Sequence, residues 1–252
     1  MNRPLDRRRF ITGLGAGGLL LSGCDRLNDS ERVRSVLRSG EALSYRVQRL
    51  LAGPSALAPE FTAADLSPVF RSNGNTLPDS AEYQRHAAAG FADWRLIIDG
   101  LVEHPMAISL QELAAFPQRT QITRHDCVEG WSAIGQWTGP QLSTLLERAG
   151  LSPNARYIVF HCADRFDENP YYESIDLVDA FHPQTILAWR MNEAILPVPH
   201  GAPVRLRVER QLGYKHAKFV MRIEARSELE TLHGGRGGFW EDQGDYAWYA
   251  GI

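Results

Sequence analysis

Cysteine is scarce in this 252-residue chain: there are three, Cys24, Cys127 and Cys162, and no two of them form a CxxC pair. That argues against a structural zinc knuckle. A CxxCH haem attachment site and an iron–sulfur cysteine run are also missing, so the chain carries neither group covalently. There is no GxGxxG behind a strand and no P-loop, which removes the usual nucleotide cradles. Basic excess is absent too, with 27 Lys and Arg against 30 Asp and Glu, so a nucleic-acid partner is not expected. Long apolar runs are lacking: beyond Ile11–Leu21 nothing approaches the roughly 20 apolar residues that a membrane span requires.

What is there begins at the N-terminus. Arg7-Arg8-Arg9-Phe10-Ile11 sets adjacent arginines ahead of an apolar pair, and a short glycine-rich apolar stretch follows. Leu21-Ser22-Gly23-Cys24 looks like a bacterial lipobox. The order reads as a twin-arginine signal over residues 1–23, with Cys24 as the lipid acceptor of the exported chain. Asp25 resembles the signal that keeps a lipoprotein at the inner membrane. The expected location is therefore the periplasmic face of that membrane, lipid-anchored. The signal holds four of the 27 basic and one of the 30 acidic residues, so the remaining 229 residues carry a net charge of −6. The twin-arginine route moves folded proteins, often around a cofactor loaded in the cytoplasm.

Residues 24–60 read as an anchor-proximal helix, with Val33, Leu37, Val47, Leu50 and Leu51 near helical spacing, stopped by Gly53-Pro54. Residues 61–90 are rich in turn formers and read as irregular. The main domain is set at 61–233. In it, strands are expected at Trp94–Gly100, Arg119–His125, Arg156–Cys162, Ile186–Met191, Val204–Val208 and Phe219–Ala225. Short helices are expected at Leu110–Phe116, Leu142–Ala149 and Ile175–Ala180. This mixture predicts an α+β fold. Residues 234–252 hold five aromatics among glycines and form a separate tail, read as docking on its own domain in preference to serving a partner surface or the pocket rim.

Polar groups gather at the predicted strand ends: His125-Asp126-Cys127, His161-Cys162, His200 with Arg205, and Lys215-His216 with Lys218. Strand ends can hold a ligand rigidly while loops give access. Basic residues in a cleft suit a phosphate or another anion. With Cys24 lipidated, Cys127 and Cys162 either pair as a disulfide or include a metal ligand.

Arg124-His125-Asp126-Cys127-Val128-Glu129-Gly130-Trp131-Ser132 resembles the molybdenum-cysteine segment of the sulfite oxidase superfamily, closest to the branch containing the periplasmic methionine-sulfoxide reductase catalytic subunits. Trp137-Thr138-Gly139, His182-Pro183, His200-Gly201-Ala202-Pro203-Val204-Arg205-Leu206 and Gly213-Tyr214-Lys215-His216-Ala217-Lys218 follow in the family order. The resemblance covers roughly residues 70 to 225. It implies mixed sheets with short helices and long loops, and a molybdenum–molybdopterin cofactor with no appended nucleotide. It implies Cys127 as the molybdenum ligand, and a soft thiolate suits that role. Asn73, His200, Arg205, His216, Ala217 and Lys218 match cofactor-contacting positions, Asn73 on a loose alignment. Cys162 stands where the reductase has a threonine, and is either a pterin contact or a packed small residue. Trp131 and Trp137 read as packing, His182 as structural, and Asp164-Arg165 with Asp167-Glu168 as a solvated loop. Lys215 either binds phosphate or faces water, and Asp126 either relays protons or lies exposed.

The resemblance implies an oxidoreductase that moves an oxygen atom. Sulfite oxidases carry arginines directly after the cysteine segment, whereas this chain has Val128-Glu129-Gly130-Trp131. The first expectation is therefore reduction of an S-oxide or N-oxide, with sulfite-type oxidation second. Electrons would come from a membrane-bound haem partner. The chain is too short for the C-terminal dimerisation domain of the larger sulfite oxidases, so a monomer is expected. Two other classes stay open: a Cys127–His hydrolase and a cofactor-free ligand-binding lipoprotein.

Overall fold

The computed structural model describes residues 30–252. The twin-arginine and lipobox readings, with Cys24 and Asp25, fall outside the described residues. The chain divides into two units, residues 1–51 and 52–252. The described part of the first is one helix, α1 (Glu31–Ala52), ending where Gly53 takes φ 71° ahead of Pro54. Among the described residues no helix is long and apolar enough to cross a membrane.

The second unit is built on three sheets and is α+β, as expected. Its elements in chain order are α2 (Ala81–Ala88), β1 (Arg95–Gly100), β2 (Met106–Ser109), α3 (Leu110–Ala115), β3 (Gln118–Cys127), β4 (Trp131–Pro140), α4 (Leu142–Ala149), β5 (Tyr157–Phe166), β6 (Asn169–Asp176), α5 (Leu177–Ala180), β7 (Thr185–Ala188), β8 (Arg190–Met191), β9 (Ala194–Ile195), β10 (Arg205–Val208), β11 (Val220–Arg226) and α6 (Phe239–Gly244). The largest sheet runs β2-β1-β11-β5-β6, with β1 and β11 parallel and the other pairs antiparallel. A second runs β3-β4-β8-β9, and β10 pairs with β7 alone. The main core lies where Leu96, Ile98, Ile158, Phe160 and Ile223 meet Leu145 and Leu146 of α4 and Leu206 and Val208 of β10. The amphipathic α4 ends on Gly150 at φ 69°, the left-handed cap that glycine adopts without strain.

Several expected elements shift for local reasons. The stretch 61–90 is not irregular throughout: Ser80 accepts from Tyr83 N and starts α2. Ile175 belongs to β6, because Asp176 caps the following helix by accepting from Asp179 N at 2.8 Å. The single strand expected over Ile186–Met191 divides at Trp189: Thr185–Ala188 pairs with β10, while Arg190 and Met191 pair with β4. β5 runs on past His161-Cys162 to Phe166, so that pair is not a strand end.

The β3–β4 hairpin positions the site. Its ladder is unbroken from Gln118↔Pro140 to Cys127↔Trp131. Gly130, at φ 84°, closes the loop and donates to Cys127 O at 3.1 Å. Strand alternation buries Gln121, Thr123, His125 and Cys127 on one face. That row is polar, where a core-facing strand is normally apolar. It needs buried polar partners, which β10 supplies.

Candidate active site

β10 is buried on both faces. Leu206 and Val208 enter the apolar core, and Arg205 and Arg207 point the other way, over the Trp137 ring at 5.0 and 4.4 Å. Arg207 Nη1 meets His125 Nδ1 at 3.0 Å, and Arg207 Nη2 donates to Glu209 Oε2 at 2.6 Å. Gln121 Nε2 donates to Glu209 Oε1 at 2.9 Å. The polar row of β3 is thereby held by an arginine–glutamate pair at its far end. Towards the hairpin tip the partners run out. His125 Nε2, His200 Nδ1, Arg205 Nε and His216 Nδ1 are all buried without a hydrogen-bond partner.

Beside these atoms lies a cavity of about 180 Å³. Cys127, Val128 and Glu129 line it from the hairpin tip, Asn73 and Asn75 from the preceding loop, and Asp164 and Tyr171 from β5 and β6. His216 and Lys218 line it from the segment before β11, and Trp240 and Tyr246 from the C-terminal segment. Cys127 is buried and its thiol is free. Burial, with Glu129 nearby, pushes that thiol above its usual value. Cys162 is also free, so the disulfide alternative is not realised.

The histidines are neutral for a common reason. Burial pulls His125 and His216 well below the usual histidine range, and Arg207 and Arg205 push the same way. His200 falls to about 4 through burial, then Arg205 and Lys218. Each therefore carries one N–H and one lone pair. His216 Nε2 is 3.0 Å from Gln211 O, so that nitrogen carries the hydrogen and Nδ1 is left as a free acceptor. Burial and Arg207 lower Arg205 to about 9. It donates to His200 O and His216 O at 3.1 and 3.3 Å, leaving Nε unused. Lys218 drops to about 7 through burial and Arg205. Its Nζ donates to Asn73 O, Asn75 O and Pro199 O at 2.8, 2.5 and 2.8 Å.

The structure therefore gathers Asn73, Cys127, His216 and Lys218 around one cavity, with Arg205 and His200 beside them. Ala217 does not line the cavity: it sits in the apolar core, and its carbonyl accepts from Leu206 N at 2.8 Å. Cys162 packs against that core and lines a different cavity, with His86, Asp93, Met221 and Arg222. Two readings need correction. Lys215 neither faces water nor meets the cavity: it is fully buried, 2.6 Å from Glu173 and also paired with Glu241. Asp164 is not solvated. It is 5% exposed, accepts from Asn75 Nδ2 at 3.2 Å, and burial raises it to about 6. Sequence reasoning missed Arg207 and Phe70. The Phe70 ring sits 5.7 Å from His125, 5.3 Å from Trp137 and 5.8 Å from His200, joining the three parts of the site.

Residues 83–233 match the family model described as oxidoreductase molybdopterin binding domain. The chain belongs to this family. It is a molybdopterin oxidoreductase of the sulfite oxidase superfamily. It is 39% identical, over 97% of its length and 87% of the relative's, to a putative protein-methionine-sulfoxide reductase subunit, YedZ1, of Azospira oryzae. It is 30% identical to the protein-methionine-sulfoxide reductase catalytic subunit MsrP of Campylobacter jejuni, over 64% of this chain and 57% of that one. The MsrP of Ralstonia nicotianae is 35% identical over 52% and 43%. The chain thus spans about half the length of these two catalytic subunits. Among solved structures it is similar to the sulfane dehydrogenase SoxCD of Paracoccus pantotrophus, with TM-score 0.52 and 25% identity, covering 59% of this chain and 45% of that one.

The residues fit a molybdopterin. His125, His200, Arg205 and His216 each keep a buried nitrogen without a partner, and His216 lines the cavity with Cys127 and Lys218, so a polar group rich in donors and acceptors has unmet partners there. Gly213 packs closely on the His125 ring, where an added Cβ would lie 2.5 Å from Nε2, so only glycine fits between that ring and the cavity it also lines. Among the described residues no group of three or more His, Cys, Asp or Glu could hold a metal unaided. A lone thiolate, Cys127, suits a metal whose other ligands arrive with its own cofactor.

Proposed function

We propose that this molybdopterin oxidoreductase reduces a neutral S-oxide, with methionine sulfoxide in peptide linkage as the leading substrate class. One observation carries the reading. The cavity beside Cys127 is lined by two carboxylates, Glu129 and Asp164, and by a single cation, Lys218, whose Nζ already donates to several oxygens. Among the described residues no arginine lines that cavity, so sulfite finds no guanidinium there, whereas a neutral oxide needs none. The names of the relatives point the same way.

In this reading Cys127 holds the molybdenum through its thiolate, and His125, His200, Arg205, His216 and Lys218, with Asn73, hold the pterin. The bound metal centre supplies oxygen-atom transfer coupled to two electrons. A sulfoxide takes two electrons and two protons to give a thioether and water. Asp164 keeps a proton at its carboxyl below about pH 6, inside the cavity, where such protons are consumed. The cofactor carries no nucleotide. Electrons come from a membrane-bound haem protein, and the word subunit in the relatives' names supports a partner. Export through the twin-arginine signal, lipidation at Cys24, the domain limits 61–233 and a monomeric state complete the proposal. The tether would raise the effective concentration of the enzyme at its partner.

A steady-state assay with a reduced viologen dye against a panel of sulfoxides tests the direction. Turnover of sulfoxides supports the reading, and activity with sulfite and ferricyanide alone reverses it. The similarity to a dehydrogenase keeps that oxidation as the second reading. The Cys127 assignment is tested by metal analysis: wild type should hold about one molybdenum per chain and Cys127→Ser far less. Equal metal in both would remove Cys127 from the centre.

A further inference from the structure

The family match stops at residue 233, yet the cavity does not. Its outer wall comes from the segment that follows. Trp240 and Tyr246 both line it, with ring centroids 5.8 Å apart in a stacked pair. Tyr246 packs edge-on to Tyr214 at 5.0 Å, and Trp240 meets Phe166 at 5.5 Å. This aromatic surface faces the cavity that holds Cys127.

The wall is fixed in place. Glu241, next to Trp240, pairs with the buried Lys215, which also lies 2.6 Å from Glu173. Asp242 accepts from Tyr172 Oη and from the backbone N–H groups of Gly234 and Arg236, each at 2.9 Å for the backbone pair. Trp248 Nε1 donates to Ser174 Oγ at 2.8 Å. Gly238 leaves no room for a Cβ between Glu241 and Glu173. A loosely attached tail would show none of this.

We infer that Trp240 and Tyr246 form the specificity wall, selecting sulfoxides whose sulfur carries a methyl group and an extended alkyl chain. This rests on the S-oxide reading above. Alkyl and sulfur groups pack well on aromatic faces, whereas a small polar oxide gains little there. The two rings thus read the part of the substrate that does not react.

The test uses molybdenum-loaded wild type, Trp240→Ala, Trp240→Phe and Tyr246→Ala. The substrates are N-acetyl-methionine-sulfoxide amide and dimethyl sulfoxide. Trp240→Ala should raise KM for the methionine derivative about tenfold with kcat and molybdenum content unchanged, and leave dimethyl sulfoxide nearly unaffected. Trp240→Phe should recover most of the loss, and Tyr246→Ala should show a smaller change of the same kind. Calorimetric titration of the oxidised enzyme with the methionine derivative should show the same tenfold loss without turnover. An active wild type whose Trp240→Ala variant keeps its KM, changes equally for both substrates, or loses molybdenum overturns this inference alone. A wild type inactive on both sulfoxides overturns the S-oxide reading and this inference with it.

Discussion

Lys215 and Arg205 are both buried cations from neighbouring stretches of chain, and their surroundings differ sharply. Lys215 is enclosed by Glu173 and Glu241. Burial pulls its ammonium down, but the two carboxylates outweigh it and lift it above the usual value. Burial and Glu241 push Glu173 well up, while Lys215 pulls it back. Arg205 has carbonyls and an aromatic face for company, keeps an unused Nε, and sits among histidine nitrogens that also lack partners. The first arrangement is closed within the protein and joins two parts of the fold. The second is incomplete without a guest. Burial of charge alone does not distinguish structure from function here; the accounting of partners does.

The largest effect should come from breaking the closed cluster. Lys215→Met leaves two glutamates without their cation and should cost about 3–5 kcal/mol in urea unfolding. Adding Glu173→Gln and Glu241→Gln should recover most of it. A single-variant loss under about 1 kcal/mol would end the contrast.

Next in size is Asp164, a lone buried acid on the incomplete side. Its pKa rises from 3.8 to about 6 in the folded state. Folding therefore favours the neutral form, and that contribution is full below pH 3.8 and lost as pH rises through about 6. Asp164→Asn is always neutral. It should be more stable than wild type by up to roughly 3 kcal/mol at pH 7–8, with the gap closing by pH 4. Parallel Tm curves from pH 4 to 8 would contradict this.

The smallest stability change should come from His200→Ala. Its Nδ1 has no partner to lose, so unfolding should shift by less than about 1 kcal/mol while molybdenum content falls. A large stability loss with cofactor retained would move His200 to the structural side.

Much of this was legible in the sequence. The alternation before Asp126-Cys127 gave the strand and its tip, and the ordered motifs gave the family and most of the polar cluster. The polar row Gln121, Thr123, His125 was readable as period two, but its meaning depends on β10, more than 80 residues away, facing it with arginines. Lys215 and Asp164 could not be assigned, because burial of a single charge depends on what packs over it. For Lys215 that is Glu241, and for Asp164 it is the Asn75 loop. The division at Trp189 reflects a choice between two sheets, and an apolar run does not record which partner each residue takes. The five aromatics of the tail were legible as a composition, whereas the place of Trp240 and Tyr246 at the cavity required the fold.

The position of Glu241 in the chain has a consequence for the order of assembly. During N-to-C synthesis, Glu173 and Lys215 emerge first and can meet as a simple neutral pair. Glu241 comes later and brings Trp240 with it. The cavity therefore gains its floor, Cys127 and the histidines, before its outer wall. Docking of Glu241 on Lys215 is thus the contact that completes the aromatic side of the cavity.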